Sequence, residues 1–315
     1  MFRGLFRKKA IGHYHAPSTL HRTLTAFDLT LMGIGAIIGA GVFVLTGIAA
    51  ATKAGPAIVF SYMLAGFASL FAALAYAELA ASIGGTGSAY SYAYAGFGEF
   101  IAWIIGWNLL LEYLMSVGTV AIGWSGYVRN LFEAAHIHFP DALMNNPFEG
   151  GVVNLPAVLI ICALSWLLSR GIRQGASFNA AIVFIKLITI VIFVAVASVN
   201  IDPQNWHPFL PFGWTGVMGG AALVFFAYIG FDALSTTVEE AVEPQRSIPI
   251  GIILSLIICT LIYALVSALL TGIVPFTSLN SPSPVSDALI RIGHHTAAGG
   301  AAGRRGAGLS PRRWR

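Results

Sequence analysis

Lys186, Glu112 and Asp232 are ionisable groups set inside long apolar runs. A charge at the centre of a membrane helix costs about 2.5–3.5 kcal/mol on insertion scales, so such groups default to functional candidates. Lys186 shares a helical side with Asn179 and Thr189. It reads as a group that gains and loses a proton during a cycle, or as a static partner for a carboxylate or backbone carbonyls. Glu112 lies on a polar stripe, Asn108, Glu112, Ser116 and Thr119, at helical spacing. A role toward a proton or a substrate amine and a structural hydrogen bond remain equal readings. Glu78 and Asp232, near the inner ends of their runs, read as gating or structural groups, as does Tyr228.

The second kind of chemistry is carried by backbone. Gly33-Ile-Gly-Ala-Ile-Ile-Gly-Ala-Gly41 puts four glycines into nine positions of the first apolar run. Each costs a helix about 1 kcal/mol relative to alanine, so the string predicts an interrupted helix. In lipid the freed N–H and C=O groups need protein, water or a ligand as partners. Gly35-x-x-x-Gly39 is also a spacing for close helix packing. A second apolar run, Phe225-Phe-Ala-Tyr-Ile-Gly-Phe-Asp232, carries a glycine and an aspartate at a corresponding place. Freed N–H groups attract a carboxylate and freed carbonyls an ammonium, so an α-amino acid suits such a site.

The elements that must position these groups are membrane helices. The chain is 57% hydrophobic and 10% charged, with a mean hydropathy of +0.79, against about 25% charged in soluble domains. Seven spans of roughly 20 residues are expected, at about 27–50, 56–81, 100–124, 156–168, 178–199, 215–237 and 249–272. Residues 1–26 read as a cytoplasmic tail, 82–99 as a loop or short re-entrant piece and 274–290 as an outer loop. The first run is too long for a cleaved leader. With the N-terminus inside, Arg3, Arg7, Lys8, Lys9, Arg22, Arg170, Arg173 and Arg246 lie on the inner side, against Lys53 and Arg129 outside, as the positive-inside rule requires. Residues 291–315 break that rule with six arginines on the outer side, and read as a basic tail that is either foreign to the fold or disordered. Cys162 and Cys259 lie in apolar runs and suggest neither a disulfide nor a metal site. A net charge of +4 placed at span ends does not suggest nucleic acid. No nucleotide fingerprint, metal motif or nucleophile triad is present, so an enzyme reading has no support and no cofactor is implied.

Several stretches resemble amino acid permeases of the amino acid–polyamine–organocation superfamily. They are Phe27-Asp-Leu-Thr-Leu-Met-Gly-Ile-Gly-Ala-Ile-Ile-Gly-Ala-Gly-Val-Phe43, Ala75-Tyr-Ala-Glu78, Gly87-Ser-Ala-Tyr-Ser-Tyr92, Gly106-Trp-Asn-Leu-Leu-Leu-Glu-Tyr113, Phe225–Asp232 and Glu240-Ala-Val-Glu-Pro-Gln-Arg-Ser-Ile-Pro-Ile-Gly251. The similarity covers about residues 20–290 and is to the cationic-amino-acid-transporter branch, bacterial members included. It implies an all-α, LeuT-like fold of twelve spans, with a five-plus-five inverted-repeat core, discontinuous spans 1 and 6, and proton-coupled amino acid uptake across the cell membrane. It places carboxylate binding on Gly39, Ala40 and Gly41, amine binding on the carbonyls of Ile37, Phe226, Ala227 and Ile229, and proton coupling on Lys186; Glu112 stays a proton-coupling candidate on its own position in span 3. Ala40 departs from the pattern, because a hydroxyl residue is common there. Length departs further, since spans 8–12 are missing from this sequence.

The expected function is therefore secondary transport of an amino acid by alternating access with proton symport, the lipid bilayer and the substrate being the partners. The alternative is a non-transporting truncated fragment or an amino acid sensor. Neither break contains an acidic residue to select a cationic side chain, which leans toward small or neutral substrates. The sequence is silent on the oligomeric state.

Overall fold

The structure is a computed structural model and describes residues 7–8, 22–137, 139–169 and 172–302. Most of the 1–26 tail, Arg170 and the last part of the basic tail, 303–315, lie outside the described residues, as does the side chain of Asn179. The described elements are helical. Five helical stretches are long and apolar enough to cross a membrane: Gly41–Ser82, Glu99–Glu133, Ala181–Ser198, Gly213–Thr237 and Pro244–Ile273. Ala26–Ile37 and Leu155–Ser169 are apolar but shorter. The short helix Leu155–Ser169 stands where span 4 is expected, and span 1 is divided between Ala26–Ile37 and the start of the Gly41–Ser82 stretch.

Helix α1, Ala26–Ile37, starts at a reciprocal cap. The Thr25 hydroxyl accepts the Asp28 N–H while the Asp28 carboxylate accepts the Thr25 N–H at 3.0 Å, which satisfies two orphan donors at once. The helix stops because Ile38 is extended, with ψ 104°. The chain resumes as a π-helix at Gly41–Leu45, one α-turn at Thr46–Ala49 and a second π-helix at Ala50–Ala54. Helix α2, Ile58–Ser82, follows a short turn that contains Pro56. Its neighbour α3, Ser88–Gly96, occupies the expected loop.

Helix α4 runs from Glu99 to Ala134, ten residues past the expected end at Trp124. No proline interrupts it before Pro140, and Arg129 pairs with Glu133 one turn on, at 3.1 Å. Then come α5, Leu155–Ser169, α6, Ile172–Ser198, and α7, Gly213–Val224. Helix α8, Pro244–Ile273, begins at the earlier of two prolines rather than near Pro249, because a first-turn proline gives up no intrahelical bond. Helix α9, Pro284–Ala302, replaces the later part of the expected 274–290 loop and runs into the expected tail. Pro284 presets its first turn, and the Asn130 side chain of α4 reaches Asp287 at 2.5 Å and Ser286 at 3.1 Å.

The core lies where α8 packs along α1 and α2, with α7 also packed on α2. Its largest fully buried side chains include Tyr62, Tyr228 and Tyr263. The segment before α1 is tied to the loop before α8. Leu24 N–H donates to Glu240 O at 3.0 Å, and Val242 N–H donates to Leu24 O at 3.0 Å.

Candidate functional site

Both expected interruptions are present and they touch. After α7 the chain makes a 3-10 turn at Phe225–Tyr228, extends at Ile229 with ψ 135°, passes Gly230 at φ +116° and restarts as a 3-10 helix at Phe231–Thr237. A side chain at Gly230 would be strained by that φ and would meet Ala36 O at 2.9 Å. At Gly41 a Cβ would meet the Ala227 Cα at 2.7 Å and would overlap its Cβ. Only glycine allows the start of the second half of span 1 to lie this close to the turn that ends α7.

The carbonyl side of the site is held by side chains. Ile37 O and Ala227 O, one from each break, both accept from the Tyr263 hydroxyl of α8, at 2.8 and 3.0 Å. The Lys186 ammonium of α6 donates to Ile38 O at 2.9 Å and Gly35 O at 3.4 Å. A cation there complements the negative end of α1. Phe226 O is engaged within its turn by the Ile229 N–H at 3.2 Å. In the π-helix, Tyr62 donates to Gly41 O at 2.9 Å and Tyr127 to Phe43 O at 2.7 Å. The Tyr228 hydroxyl donates to Tyr62 O at 2.7 Å, and its ring packs against those of Tyr62 and Tyr263.

The N–H side differs. Gly39, Ala40 and Gly41 open the second half, where no preceding helical carbonyl is available, and their N–H groups donate to no acceptor among the described residues. A Cβ at Gly39 would find Val120 no nearer than 3.9 Å. The break thus presents unpaired donors on one side and carbonyls already shared with hydroxyls and an ammonium on the other.

The structure brings Lys186 to the breaks and bonds it to carbonyls rather than to a carboxylate. Asp232 is 5% exposed and accepts the Tyr113 hydroxyl of α4 at 2.8 Å. Glu112 is half-buried and within electrostatic reach of Asp232. The expected polar stripe does not form one network: Thr119 bonds its own helix at Met115 O, Ser116 Oγ is buried with no partner among the described residues, and Asn108 is exposed. Glu78 is exposed on α2, and no side-chain bond links it to the breaks. Sequence reasoning missed Tyr62, Tyr127 and Tyr263, along with Thr46, which supports Tyr62. A tyrosine deep in an apolar helix is the available signal, since its buried hydroxyl needs a partner.

A family model described as amino acid permease matches residues 24–301. The chain is 48% identical to the methylthioribose transporter of Bacillus subtilis, over 94% of this chain and 65% of that protein. It is 47% identical to the branched-chain amino acid permease BcaP of the same organism, with the same coverage of each. It is 39% identical to human cationic amino acid transporter 4, over 93% of this chain and 47% of that protein. The chain therefore spans about two thirds or less of the length of these relatives. The matched residues include both breaks, Lys186 and the tyrosines that hold the carbonyls, and on this similarity the chain belongs to the amino acid permease family.

Proposed function

We propose that this chain serves secondary amino acid transport across the cell membrane, with its N-terminus cytoplasmic, by alternating access coupled to protons. The observation that carries the reading is the asymmetry of the paired breaks. The N–H groups of Gly39, Ala40 and Gly41 are left to take a carboxylate, and the carbonyls of Ile37, Phe226, Ala227 and Ile229 line the side where an ammonium would lie. Half-helix ends of this kind bind substrate in transporters built on inverted repeats. We assign spans 1 and 6 as the corresponding discontinuous helices of a LeuT-like five-plus-five fold, with 27–273 as the membrane core. The small apolar lining, and the branched-chain permease among the relatives, favour a neutral amino acid. Lys186 is the proposed coupling group. Its proton holds two carbonyls at the end of α1, so protonation and the geometry of the break are linked. Asp232, which accepts the Tyr113 hydroxyl, is assigned to the inner end of the path, and Glu112, within electrostatic reach of it, to proton coupling alongside Lys186.

The test is uptake of radiolabelled L-leucine into proteoliposomes containing the chain, with and without an inward proton gradient. Uptake stimulated by the gradient is expected, and Lys186→Ala should abolish the stimulation. Gradient-driven uptake unchanged in Lys186→Ala would overturn the coupling step. Absence of leucine uptake and binding in the unsubstituted chain would overturn the leucine-transport reading.

A further inference from the structure

The Gly39–Gly41 turn has to hold three N–H groups in one direction, yet two of its three residues are glycines, the residue type with the most backbone freedom to lose. Something outside the turn must fix it. The restraint acts on the next peptide. Gly41 O accepts the Thr46 N–H through the π-helix and the Tyr62 hydroxyl of α2 at 2.9 Å. The Thr46 hydroxyl lies 2.7 Å from that of Tyr62 and, with the Tyr62 proton on Gly41 O, supports it by donating its single proton to the phenol oxygen, with Val42 O at 2.9 Å and Gly41 O at 3.3 Å as its alternative acceptors. Tyr62 and Thr46 are both 0% exposed. Tyr62 is braced by Tyr263, 5.2 Å away between ring centroids, and by Tyr228 at 6.5 Å. A carbonyl held by two donors fixes its peptide plane, and with it the ψ angle of Gly41. In the π-helix the Gly41 carbonyl keeps its i+5 partner, the Thr46 N–H, and the Tyr62 hydroxyl adds a second donor from another helix.

We propose that Tyr62, supported by Thr46, is a positioning residue for the substrate carboxylate: it touches no substrate and instead holds the Gly39–Gly41 turn in its binding geometry. This rests on the amino acid reading given above. Preorganisation of this kind gains affinity by lowering the ordering cost of binding.

The experiment measures displacement of radiolabelled L-leucine from the purified chain by L-leucine and by L-leucinamide, which keeps the amine and side chain but lacks the carboxylate. Tyr62→Phe removes one oxygen and keeps the ring. It should weaken leucine about fivefold, the scale of one net hydrogen bond, while leucinamide changes by less than about twofold. Thr46→Val should act in the same direction and Thr46→Ser should restore the parent behaviour. Equal weakening of both ligands in Tyr62→Phe and Thr46→Val would show a general packing role and overturn the proposal, as would no change in either ligand. If the unsubstituted chain binds no leucine, the leucine-site reading falls and the inference with it. Leucine binding by the parent, with the leucine-to-leucinamide ratio unmoved in both variants, overturns the inference alone.

Discussion

Tyr263→Phe is the most direct test of how the two breaks are held together. The substitution deletes one buried oxygen and leaves the ring between Tyr62 and Tyr228 in place. That oxygen is the shared partner of Ile37 O and Ala227 O, at 2.8 and 3.0 Å, and Tyr263 is 0% exposed. A typical hydrogen bond contributes about 1 kcal/mol net, and a buried acceptor left without a partner costs about 1–3 kcal/mol. One hydroxyl proton serves two carbonyls here, so the loss is bounded below by one net bond. It is bounded above by two stranded acceptors, less the relief of no longer burying a hydroxyl. The expected destabilisation is about 1–3 kcal/mol. A thiol-reactive dye can report it, because Cys259 is buried one turn before Tyr263 whereas Cys162 is exposed. With Cys162 replaced by alanine, thermal exposure of Cys259 should occur several degrees lower in Tyr263→Phe than in the matched parent. Leucine affinity should hold or rise, because the ammonium no longer shares its carbonyls with a hydroxyl. Unchanged thermal stability would refute the claim that this hydroxyl ties the breaks. Loss of leucine affinity with stability intact would refute the claim that it competes with the ammonium.

Two further outcomes follow from the packing. Gly41→Ala forces a Cβ into Ala227, whereas Gly39→Ala meets nothing nearer than 3.9 Å, so leucine binding should fall more than about tenfold in the first, an overpacking cost of about 1–3 kcal/mol, and little in the second. Asp287→Ala removes the acceptor reached by Asn130 and by Ser281, each at 2.5 Å. Limited proteolysis of the 279–283 loop should speed up by about tenfold, the scale of one charge-assisted bond, with leucine binding unaffected.

The parts of this architecture that were legible in the sequence are those with a local cost. Four glycines in nine positions, or a lysine in an apolar run, carry their penalty wherever they stand, and so both breaks and Lys186 were legible. Glu78 was legible as a charge but not as an exposed one, because its side of α2 is set by packing. The reach of α4 to Ala134 and the helix at Ser88–Gly96 are not marked by capping side chains, and the place of α9 is set by bonds from Asn130 to Ser286 and Asp287 that composition does not encode. The tyrosines were missed for a third reason. Tyr263 serves a carbonyl 226 positions away in the chain and Tyr62 serves one 21 positions away. A phenol in an apolar helix gives no sign of its partner until the helices are packed.

That packing also explains why the breaks are directional. An interrupted helix in lipid exposes donors on one side and acceptors on the other, and both must be satisfied. Here the acceptors are served from three helices, by Tyr62 of α2, Lys186 of α6 and Tyr263 of α8. The donors of Gly39, Ala40 and Gly41 have no acceptor among the described residues. A symmetric site, with neither side served, would bind either end of a zwitterion in either orientation. A site with only its donors unserved orients the ligand by its carboxylate first. On the proposed reading, the amine is then left to exchange with the Tyr263 hydroxyl that already occupies Ile37 O and Ala227 O. Tyr263 thus shares these two carbonyls with the substrate amine, whereas Lys186 acts on the neighbouring Gly35 and Ile38 carbonyls at the end of α1, so its protonation would reach the substrate through the geometry of the break.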